Sequence, residues 1–319
     1  MMNNEPLWQP SASIETLRQR AKLLNQIRSF FYQRDYLEVE TPTLSRFGIT
    51  DVYLSNIVAT FRGQPYYLQT SPEYHMKRLL AAGSGPIFQL AKVFRDDELG
   101  RWHNPEFTML EWYQLNVDHH GLMDETDALL QTVLQCPPMH RKTYQQAFSE
   151  TCDLDPLAAS LSALKRTLQR FELDNVLAPD EQDPDQYLFL LMSHVVEPAL
   201  GKESVPVAVY DFPVSQAALA KINHGVAERF EIYFKGVELA NGFHELTDAS
   251  MQAARFQTDL IARRKKGLPE PAPDEYLLQA LANGLPPCSG VALGVDRLLT
   301  LALKEPAIAK TLSFDFTRA

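Results

Sequence analysis

Residues 93–113 read Val-Phe-Arg-Asp-Asp-Glu-Leu-Gly-Arg-Trp-His-Asn-Pro-Glu-Phe-Thr-Met-Leu-Glu-Trp-Tyr, and this stretch decides the fold. It continues an apolar run, Ile87–Phe94, whose length and composition predict a buried strand. Apolar and polar side chains alternate over Phe107–Leu115, which predicts a second strand after a polar loop. This strand places Glu111 and Tyr113 on one face, because successive strand residues point to opposite sides.

The polar loop begins at Arg95, where the first predicted strand ends. An arginine held on a rigid element is suited to binding a phosphate or a carboxylate, and such a loop is able to cover a nucleotide. Taken alone, the segment is more typical of a plain hairpin in which Arg95 pairs with Asp96, Asp97 or Glu98.

A second segment, Phe230–Glu245, carries two carboxylates on predicted paired strands that turn at Lys235-Gly236. Glu231 and Glu238 are thereby able to converge on one cation, and hard Mg²⁺ prefers oxygen ligands completed by substrate phosphates. Taken alone, the pattern favours solvent-facing carboxylates in a hairpin.

A third segment reads Gly290-Val-Ala-Leu-Gly-Val-Asp-Arg297. The glycines permit a ligand to approach the backbone closely, and Arg297 falls at a predicted helix N-terminus, which favours anions. Taken alone, the segment is typical of strand–turn–helix packing. Together, the three segments supply the arginines, carboxylates and glycine-rich strand that ATP and a divalent metal require.

The rest of the chain predicts an α+β fold, with antiparallel strand pairs flanked by helices. Helices are predicted from Ser13, from Ser71-Pro72-Glu73 to Gly83, and over about 248–266 and 274–282. Residues of about 118–201 are predicted to form a mostly helical insertion, and residues 1–319 a single catalytic domain.

Composition excludes several classes of protein. The net charge of −10 argues against a broad nucleic-acid-binding surface. The sequence lacks an apolar run of membrane-spanning length and a recognisable signal peptide. Three widely spaced cysteines predict reduced thiols and a cytoplasmic location.

These segments resemble the three motifs of class II aminoacyl-tRNA synthetases. Tyr36–Pro42 is similar to motif 1, Phe94–Glu111 to motif 2 and Gly290–Arg297 to motif 3. Within the class, Thr70–Glu73, Arg101–Met109 and Glu238–Glu245 resemble lysyl-tRNA synthetase, and the likeness runs from about Glu15 to the end. The resemblance implies an antiparallel sheet flanked by helices and the formation of an aminoacyl-adenylate from ATP.

The resemblance also implies roles for individual residues. Arg95 and Arg297 become the catalytic residues, with Arg95 on the α-phosphate and substrate carboxylate and Arg297 on the γ-phosphate. Mg²⁺ ligands are Glu231 and Glu238. The implied ATP-binding set is Arg95, Asp96, Asp97, Asn104, Phe107, Glu238, Leu239, Gly294 and Arg297. The implied substrate-binding set is Ser71, Pro72, Glu73, Tyr113, Asn241, Glu245 and Ala292.

Several of these roles are specific. Phe107 is expected to stack on adenine and Glu73 to pair with the substrate amine. Tyr113 and Glu245 are expected to recognise the terminal ammonium, and Asn241 the carboxylate.

The sequence departs from the family pattern at two positions. Asp97 stands where motif 2 commonly has glutamate, which shortens its reach toward adenine. Ala292 stands where lysyl-tRNA synthetase has glycine, and an added methyl group in a pocket wall is worth about 1–3 kcal/mol of discrimination. We expect this change to favour β-lysine over α-lysine.

Only about a dozen residues precede the first predicted helix, so we expect no anticodon-binding OB-fold domain. This resembles the lysyl-tRNA synthetase paralogues that join β-lysine to a lysine side chain of elongation factor P, and it makes tRNA an unexpected acceptor. Two alternatives stay open: a short enzyme that aminoacylates tRNA or another acceptor, and a non-catalytic binding paralogue. Pro42 in motif 1 implies a symmetric homodimer.

Overall fold

The structure is a computed structural model that describes residues 6–96 and 99–319. The chain divides into two compact units. Unit 1 comprises residues up to Val117, Thr132–Leu134 and Leu246–Ala319, and unit 2 comprises Asp118–Gln131 and Gln135–Glu245.

The helices and strands follow one another along the described chain. The helices are α1 (Ile14–Tyr32), α2 (Glu73–Ala81), α3 (His119–Leu134), α4 (Tyr144–Cys152), α5 (Leu161–Arg170), α6 (Pro184–Leu191), α7 (Glu197–Leu200), α8 (Ala249–Lys265), α9 (Glu275–Gly284) and α10 (Val295–Ala302). The strands are β1 (Leu37–Glu38), β2 (Leu44–Ser45), β3 (Val58–Phe61), β4 (Gln64–Leu68), β5 (Ile87–Phe94), β6 (Glu106–Leu115), β7 (His140–Thr143), β8 (Val207–Pro213), β9 (Ile222–Asn223), β10 (Val226–Phe234), β11 (Val237–His244) and β12 (Cys288–Gly294).

Unit 1 is built around antiparallel pairing of β5 with β6 and of β6 with β12. The short β1 pairs in parallel with β5, and β2, β4 and β3 form a separate small sheet. Helix α1 begins at a Ser13 cap, and its apolar face is buried. Phe31 from that face stacks on Phe88 of β5, with ring centroids 4.6 Å apart.

A second core layer lies where α2, α8 and α9 pack. Its buried members are Met76, Leu80, Ile87, Tyr113, Phe256, Leu277, Leu281, Leu285 and Cys288. The core therefore includes Tyr113, which fixes the end of β6 beneath α2.

Some local predictions for unit 1 are corrected by the structure. Helix α2 begins at Glu73 with Pro72 as its N-cap, one residue later than expected, and the Ser71 hydroxyl accepts a hydrogen bond from the Glu73 amide at 3.0 Å. The alternating pattern predicts one strand over Tyr36–Pro42 and another over Val52–Thr60. The structure forms only β1 in the first segment, and only the start of β3, from Val58, in the second.

Unit 2 orders its main strands as β7, β8, β10 and β11, with β9 beside β10. The pairs β8–β10 and β10–β11 are antiparallel, and β7–β8 is parallel. Its core contains a stacked pair, Tyr144 and Phe148, with ring centroids 4.6 Å apart. The predicted helical insertion corresponds to α3–α7, together with β7, which the sequence did not predict.

Antiparallel pairs flanked by helices predominate in each unit, so the α+β prediction is confirmed. The prediction of a single domain over 1–319 stays a prediction. All three cysteines are free thiols. Within the described residues, no helix combines the length and the apolar character needed to cross a membrane.

Candidate active site

A buried cluster of acidic and hydroxyl side chains lies between α2 and β6 in unit 1. Ser71 donates to Glu111 Oε2 at 2.6 Å, and the Tyr113 hydroxyl donates to Glu111 Oε1 at 2.6 Å. Lys77 donates from Nζ to Glu73 Oε1, also at 2.6 Å. Lys77 and Glu73 are one helical turn apart, which places both side chains on one face of α2. We call Ser71, Glu73, Lys77, Glu111 and Tyr113 the acid cluster.

The ionisation of Glu111 is strongly perturbed. Its side chain is buried, with 2 % of the residue exposed. Burial and the charge of Glu73 raise the pKa of Glu111 to about 7, against the lowering effects of the Ser71 and Tyr113 hydrogen bonds and of Lys77. Burial disfavours the charged carboxylate of Glu111, and the buried Lys77 ammonium pairs with the other carboxylate, that of Glu73. The cluster is therefore suited to accept a further cation.

The strand register places small residues opposite the acid cluster. Ala292 of β12 pairs with Glu111, Gly290 with Tyr113 and Gly294 with Met109. Directly opposite residues of an antiparallel pair share a face of the sheet. The sequence prediction that Glu111 and Tyr113 share a face is thus confirmed, and small residues leave space on that face for a ligand.

Arg297 lies in the first turn of α10, after a strand that ends at Gly294. Its guanidinium donates from Nε to the Trp102 carbonyl at 3.2 Å and lies 2.6 Å from His103 Nε2. Motif 3 and the motif 2 loop are thus in contact within unit 1.

The neighbouring Asp296 ties the same elements together from the buried side. It bonds Arg20 of α1 at 2.6 Å and accepts from the Thr108 amide at 2.7 Å. These bonds hold the start of α10 against β6.

Arg95 directly follows β5, as expected, and its guanidinium carbon lies 5.3 Å from the centroid of the Phe107 ring. This distance is typical of a cation–π contact. Phe107 also packs against the buried cluster of Ala91, Val93 and Met109, and its expected stacking on adenine stays a prediction.

Three further predicted ATP residues belong to the motif 2 loop. Asp96 is exposed, and its amide donates to the Ser55 carbonyl at 3.1 Å. Asn104 is buried, with its amide donating to the Glu106 carbonyl at 2.6 Å and accepting from the Phe316 amide at 3.0 Å. The Asn104 side chain thus links the backbone at Glu106 to the backbone at Phe316. Asp97 lies outside the described residues.

In unit 2, Glu231 is positioned by a neighbouring arginine and tyrosine. Arg229 and Tyr233 both donate to its carboxylate. These three residues alternate along β10 and so share one face of the sheet. Arg229 also donates to Asn241 Oδ1 at 3.2 Å, and Asn241 lies directly opposite Glu231 on β11.

A shift in strand register places Glu238 on the same face of the β10–β11 hairpin as Glu231. It lies opposite Tyr233, because the β10–β11 register shifts between Ile232 and Tyr233. Burial, followed by the charges of Glu231 and Glu238, raises the pKa of the Tyr233 hydroxyl well above its usual range. Glu231 and Glu238 therefore share one face of the hairpin, and their expected role as Mg²⁺ ligands stays a prediction.

The remaining predicted residues of unit 2 are buried beside this hairpin. Leu239 and Glu245 are each 2 % exposed, and Glu245 forms an isolated bridge with Ala220. The role predicted for each stays a prediction.

Three functional candidates were absent from the sequence-based site. They are Lys77, Arg229 and Glu111, of which only Glu111 was noted as a neighbour of Tyr113. Spacing gave a signal for two of them, because Lys77 follows Glu73 by one helical turn and Arg229 precedes Glu231 by two strand positions.

The sequence profile of the class II tRNA synthetases (D, K and N) matches residues 8–318. The chain belongs to this family. The class II synthetase resemblance inferred from the three motifs is thereby confirmed.

Individual relatives within this class II group match almost from end to end. The chain is 54 % identical over 321 residues to the elongation factor P–(R)-β-lysine ligase of Pasteurella multocida and 53 % identical over 321 residues to that of Vibrio cholerae, covering 98 % of each protein. It is 52 % identical over 327 residues to the ligase of Salmonella paratyphi A, with both chains covered completely.

Proposed function

We propose that this class II chain is an ATP-dependent ligase that activates (R)-β-lysine and joins it to a lysine side chain of elongation factor P. The observation that carries the proposal is the match at 52–54 % identity, over at least 98 % of both chains, to relatives that bear this name. Arg95, Arg297 and Glu238 are all present, which disfavours a non-catalytic binding paralogue.

The first chemical step needs no nucleophilic side chain. A carboxylate oxygen of β-lysine attacks the α-phosphorus of ATP, the bond to the bridging oxygen breaks, and pyrophosphate leaves. The product is an aminoacyl-adenylate. We assign Arg95 to the α-phosphate and the substrate carboxylate, and Arg297 to the γ-phosphate, because fixed guanidinium groups stabilise charge that builds up on phosphate oxygens.

Positioning supports this assignment of Arg297. Its guanidinium contacts Trp102 and His103, so the side chain is held on the motif 2 loop. Rates depend on such placement, because a pre-oriented group loses little freedom when the reaction proceeds.

In the second step, the neutral lysine amine of elongation factor P attacks the carbonyl carbon of the adenylate. An amide bond forms, the bond to the phosphate oxygen breaks, AMP leaves, and the amine gives up a proton. Oriented binding of the two reactants supplies much of the acceleration in such a transfer.

The acid cluster is the site that we assign to a substrate ammonium in unit 1. Lys77 neutralises one carboxylate charge, so ionised Glu111 leaves the cluster with one net negative charge. A buried charge needs a partner, and a substrate ammonium provides it. Ser71, Pro72 and Glu73 form the α2 end of this site, and Ala292 lies opposite Glu111.

In unit 2, we assign Asn241 to the substrate carboxylate and Glu245 to an ammonium. The Asn241 side-chain oxygen accepts from Arg229, which directs its amide donors elsewhere. Leu239 and Gly294 are assigned to the ATP site, as are Asp96, Asp97, Asn104 and Phe107. These assignments rest on the family motifs.

We propose that Glu231 and Glu238 hold Mg²⁺. They lie on one face of the β10–β11 hairpin, and both act on the Tyr233 hydroxyl. A bound Mg²⁺ would neutralise charge on the phosphates of ATP.

We further propose a symmetric homodimer, a cytoplasmic location and no tRNA acceptor. Pro42 lies between two exposed leucines in the sequence, Leu37 at 54 % exposure and Leu44 at 46 %. Burial of such side chains favours association. The net charge of −10 disfavours a broad tRNA-binding surface.

A transfer assay with radiolabelled β-lysine tests the proposal, with elongation factor P and tRNA offered side by side. Label should enter elongation factor P in an ATP-dependent manner, and Arg297→Ala should reduce the rate about 100- to 1000-fold. Arg18→Ala is the matched control, because Arg18 is an exposed arginine of α1. Label found on tRNA alone, or equal rates for both variants, would contradict the proposal.

A further inference from the structure

Unit 2 contains a cluster of potential metal ligands that the proposed ligase reaction does not use. A ring nitrogen of His119, a ring nitrogen of His244 and a carboxylate oxygen of Glu228 all lie within 4.8 Å of one another. His119 opens α3, Glu228 lies on β10, and His244 ends β11. We propose that these three side chains bind one transition-metal ion of the Zn²⁺ type.

His119 is the observation that points to a ligand. The residue is 4 % exposed, and its Nδ1 is buried without a hydrogen-bond partner among the described residues. A buried polar atom without a partner costs about 1–3 kcal/mol. A metal ion bound at this nitrogen would remove that cost.

The other ring nitrogen of His119 has the partner that a metal-ligating histidine normally has. Nε2 lies 3.2 Å from Asp211 Oδ1. A carboxylate that accepts a hydrogen bond from one ring nitrogen fixes the tautomer, and so leaves the lone pair of the other nitrogen available to a metal ion. Asp211 is therefore a positioning residue for His119.

Glu228 is held in place by two neighbouring side chains. Asn223 donates to its Oε1 at 2.9 Å, and His244 Nδ1 lies 2.5 Å from its Oε2. These two contacts fix the carboxylate beside the ring of His244, where both side chains face the same ion site.

The donor set selects the class of metal. Two imidazoles with one carboxylate suit Zn²⁺ and similar ions, whereas Mg²⁺ and Ca²⁺ prefer oxygen ligands alone. Zinc–ligand bonds of about 2.0–2.2 Å place tetrahedral ligand atoms about 3.4 Å apart. Side-chain adjustments within the 4.8 Å cluster therefore suffice to form the site.

The bound ion would join three elements of unit 2 that meet at this point. It would link the first residue of α3 to the β10–β11 hairpin, next to the end of β11 where Glu245 begins the following segment. The expected role is structural, because metal binding to the folded state stabilises that state.

A measurement of the metal bound per chain tests the proposal directly. The full-length protein is stripped with a chelator, titrated with Zn²⁺ alone and analysed for metal bound per chain. We expect one equivalent, and we expect the double variant His119→Gln/His244→Gln to lose it while keeping its far-ultraviolet circular dichroism. Co²⁺ in place of Zn²⁺ should give the visible absorption of a tetrahedral site.

Two further variants keep the test decisive. His120→Gln is the matched control, because this exposed neighbour of His119 lies outside the cluster, and it should retain the full equivalent. Asp211→Asn should weaken Zn²⁺ binding about 10- to 100-fold through its effect on His119, and it serves if the double variant does not fold. Absence of a bound equivalent in the parent protein would overturn the proposal. Retention of the equivalent in the double variant, or unaltered affinity in Asp211→Asn, would overturn it too.

Discussion

The substitution Glu111→Gln should stabilise the protein at alkaline pH while it weakens the binding of β-lysine. In the folded state, burial and Glu73 raise the pKa of Glu111 from its ordinary value of 4.5 to about 7. At about 1.4 kcal/mol per pKa unit, this rise corresponds to about 3 kcal/mol of destabilisation once the carboxyl group is charged. A neutral amide of nearly the same shape avoids this cost.

The stability that Glu111→Gln gains over the parent protein should depend on pH. Below about pH 4.5, Glu111 is protonated in both the folded and the unfolded chain, so its ionisation contributes no difference. Between pH 4.5 and about 7, the unfolded chain loses the proton first, and the parent protein loses stability as the pH rises. The advantage of Glu111→Gln should therefore be absent at low pH and complete above about pH 8.

Thermal unfolding at pH 5 and pH 8 measures this difference. For a protein unit of 150–250 residues, each kcal/mol of added stability raises the Tm by about 2–4 °C. Glu111→Gln should therefore raise the Tm by several degrees at pH 8 and by little at pH 5. Calorimetric titration should show at least about tenfold weaker β-lysine binding, since a hydrogen bond to a charged group contributes about 1.5–3 kcal/mol.

The matched control is Glu106→Gln, a half-exposed glutamate of the same strand that pairs with Lys92. Its Tm should change little at either pH, because exposed ion pairs contribute about 0–1 kcal/mol. If Glu111→Gln lowers the Tm at pH 8, or shifts it equally at both pH values, the account of the acid cluster is refuted.

Three other predictions follow from single contacts. Lys77→Met leaves the Glu73 carboxylate without its buried counter-ion and should cost about 3–5 kcal/mol of unfolding free energy in urea. Gly242→Ala would place a Cβ 2.3 Å from Phe230 Cζ, and the displaced ring should cost about 1–3 kcal/mol by the same measurement. Ala292→Gly should shift the preference in ATP–pyrophosphate exchange about tenfold toward α-lysine, since a pocket methyl group is worth about 1–3 kcal/mol.

Each of these predictions has a control in the chain. Lys77→Arg keeps the positive charge and should lose less stability than Lys77→Met. Gly100→Ala should be tolerated, because the nearest atom to a Cβ there among the described residues is His103 Nδ1, at 4.0 Å. An enzyme that prefers α-lysine before and after Ala292→Gly would refute the proposed role of the methyl group.

The alternation of apolar and polar side chains along strands predicted the part of the fold that surrounds the acid cluster. Alternation over Phe107–Leu115 gave β6 and placed Glu111 beside Tyr113, and the 2.6 Å hydrogen bond between them confirms this. The helix from Ser13 was predicted as well, because capping and apolar spacing are local properties of the sequence. The strand predicted over Tyr36–Pro42 was mostly wrong, since within this segment only Leu37 and Glu38 pair with a neighbouring strand.

The charge state of the candidate site was beyond sequence reasoning. Glu111 was placed correctly on its strand, but its raised pKa depends on burial and on Glu73, which reaches it from α2. Likewise, the sequence indicated Glu231 as a metal ligand without showing that Arg229 and Tyr233 donate to it. Such partners are selected by packing across elements, which spacing along one element does not specify.

The acid cluster shows why binding and stability oppose each other at this site. Lys77 pairs with Glu73, so the buried Glu111 carboxylate, once ionised, leaves the cluster with one net negative charge. A second permanent lysine would stabilise the fold, but it would occupy the position that we assign to the substrate ammonium. The unbalanced negative charge lowers the stability of the fold, and the same charge favours the binding of a cationic amino acid. A ligand with an ammonium group neutralises it, so the site selects such a ligand.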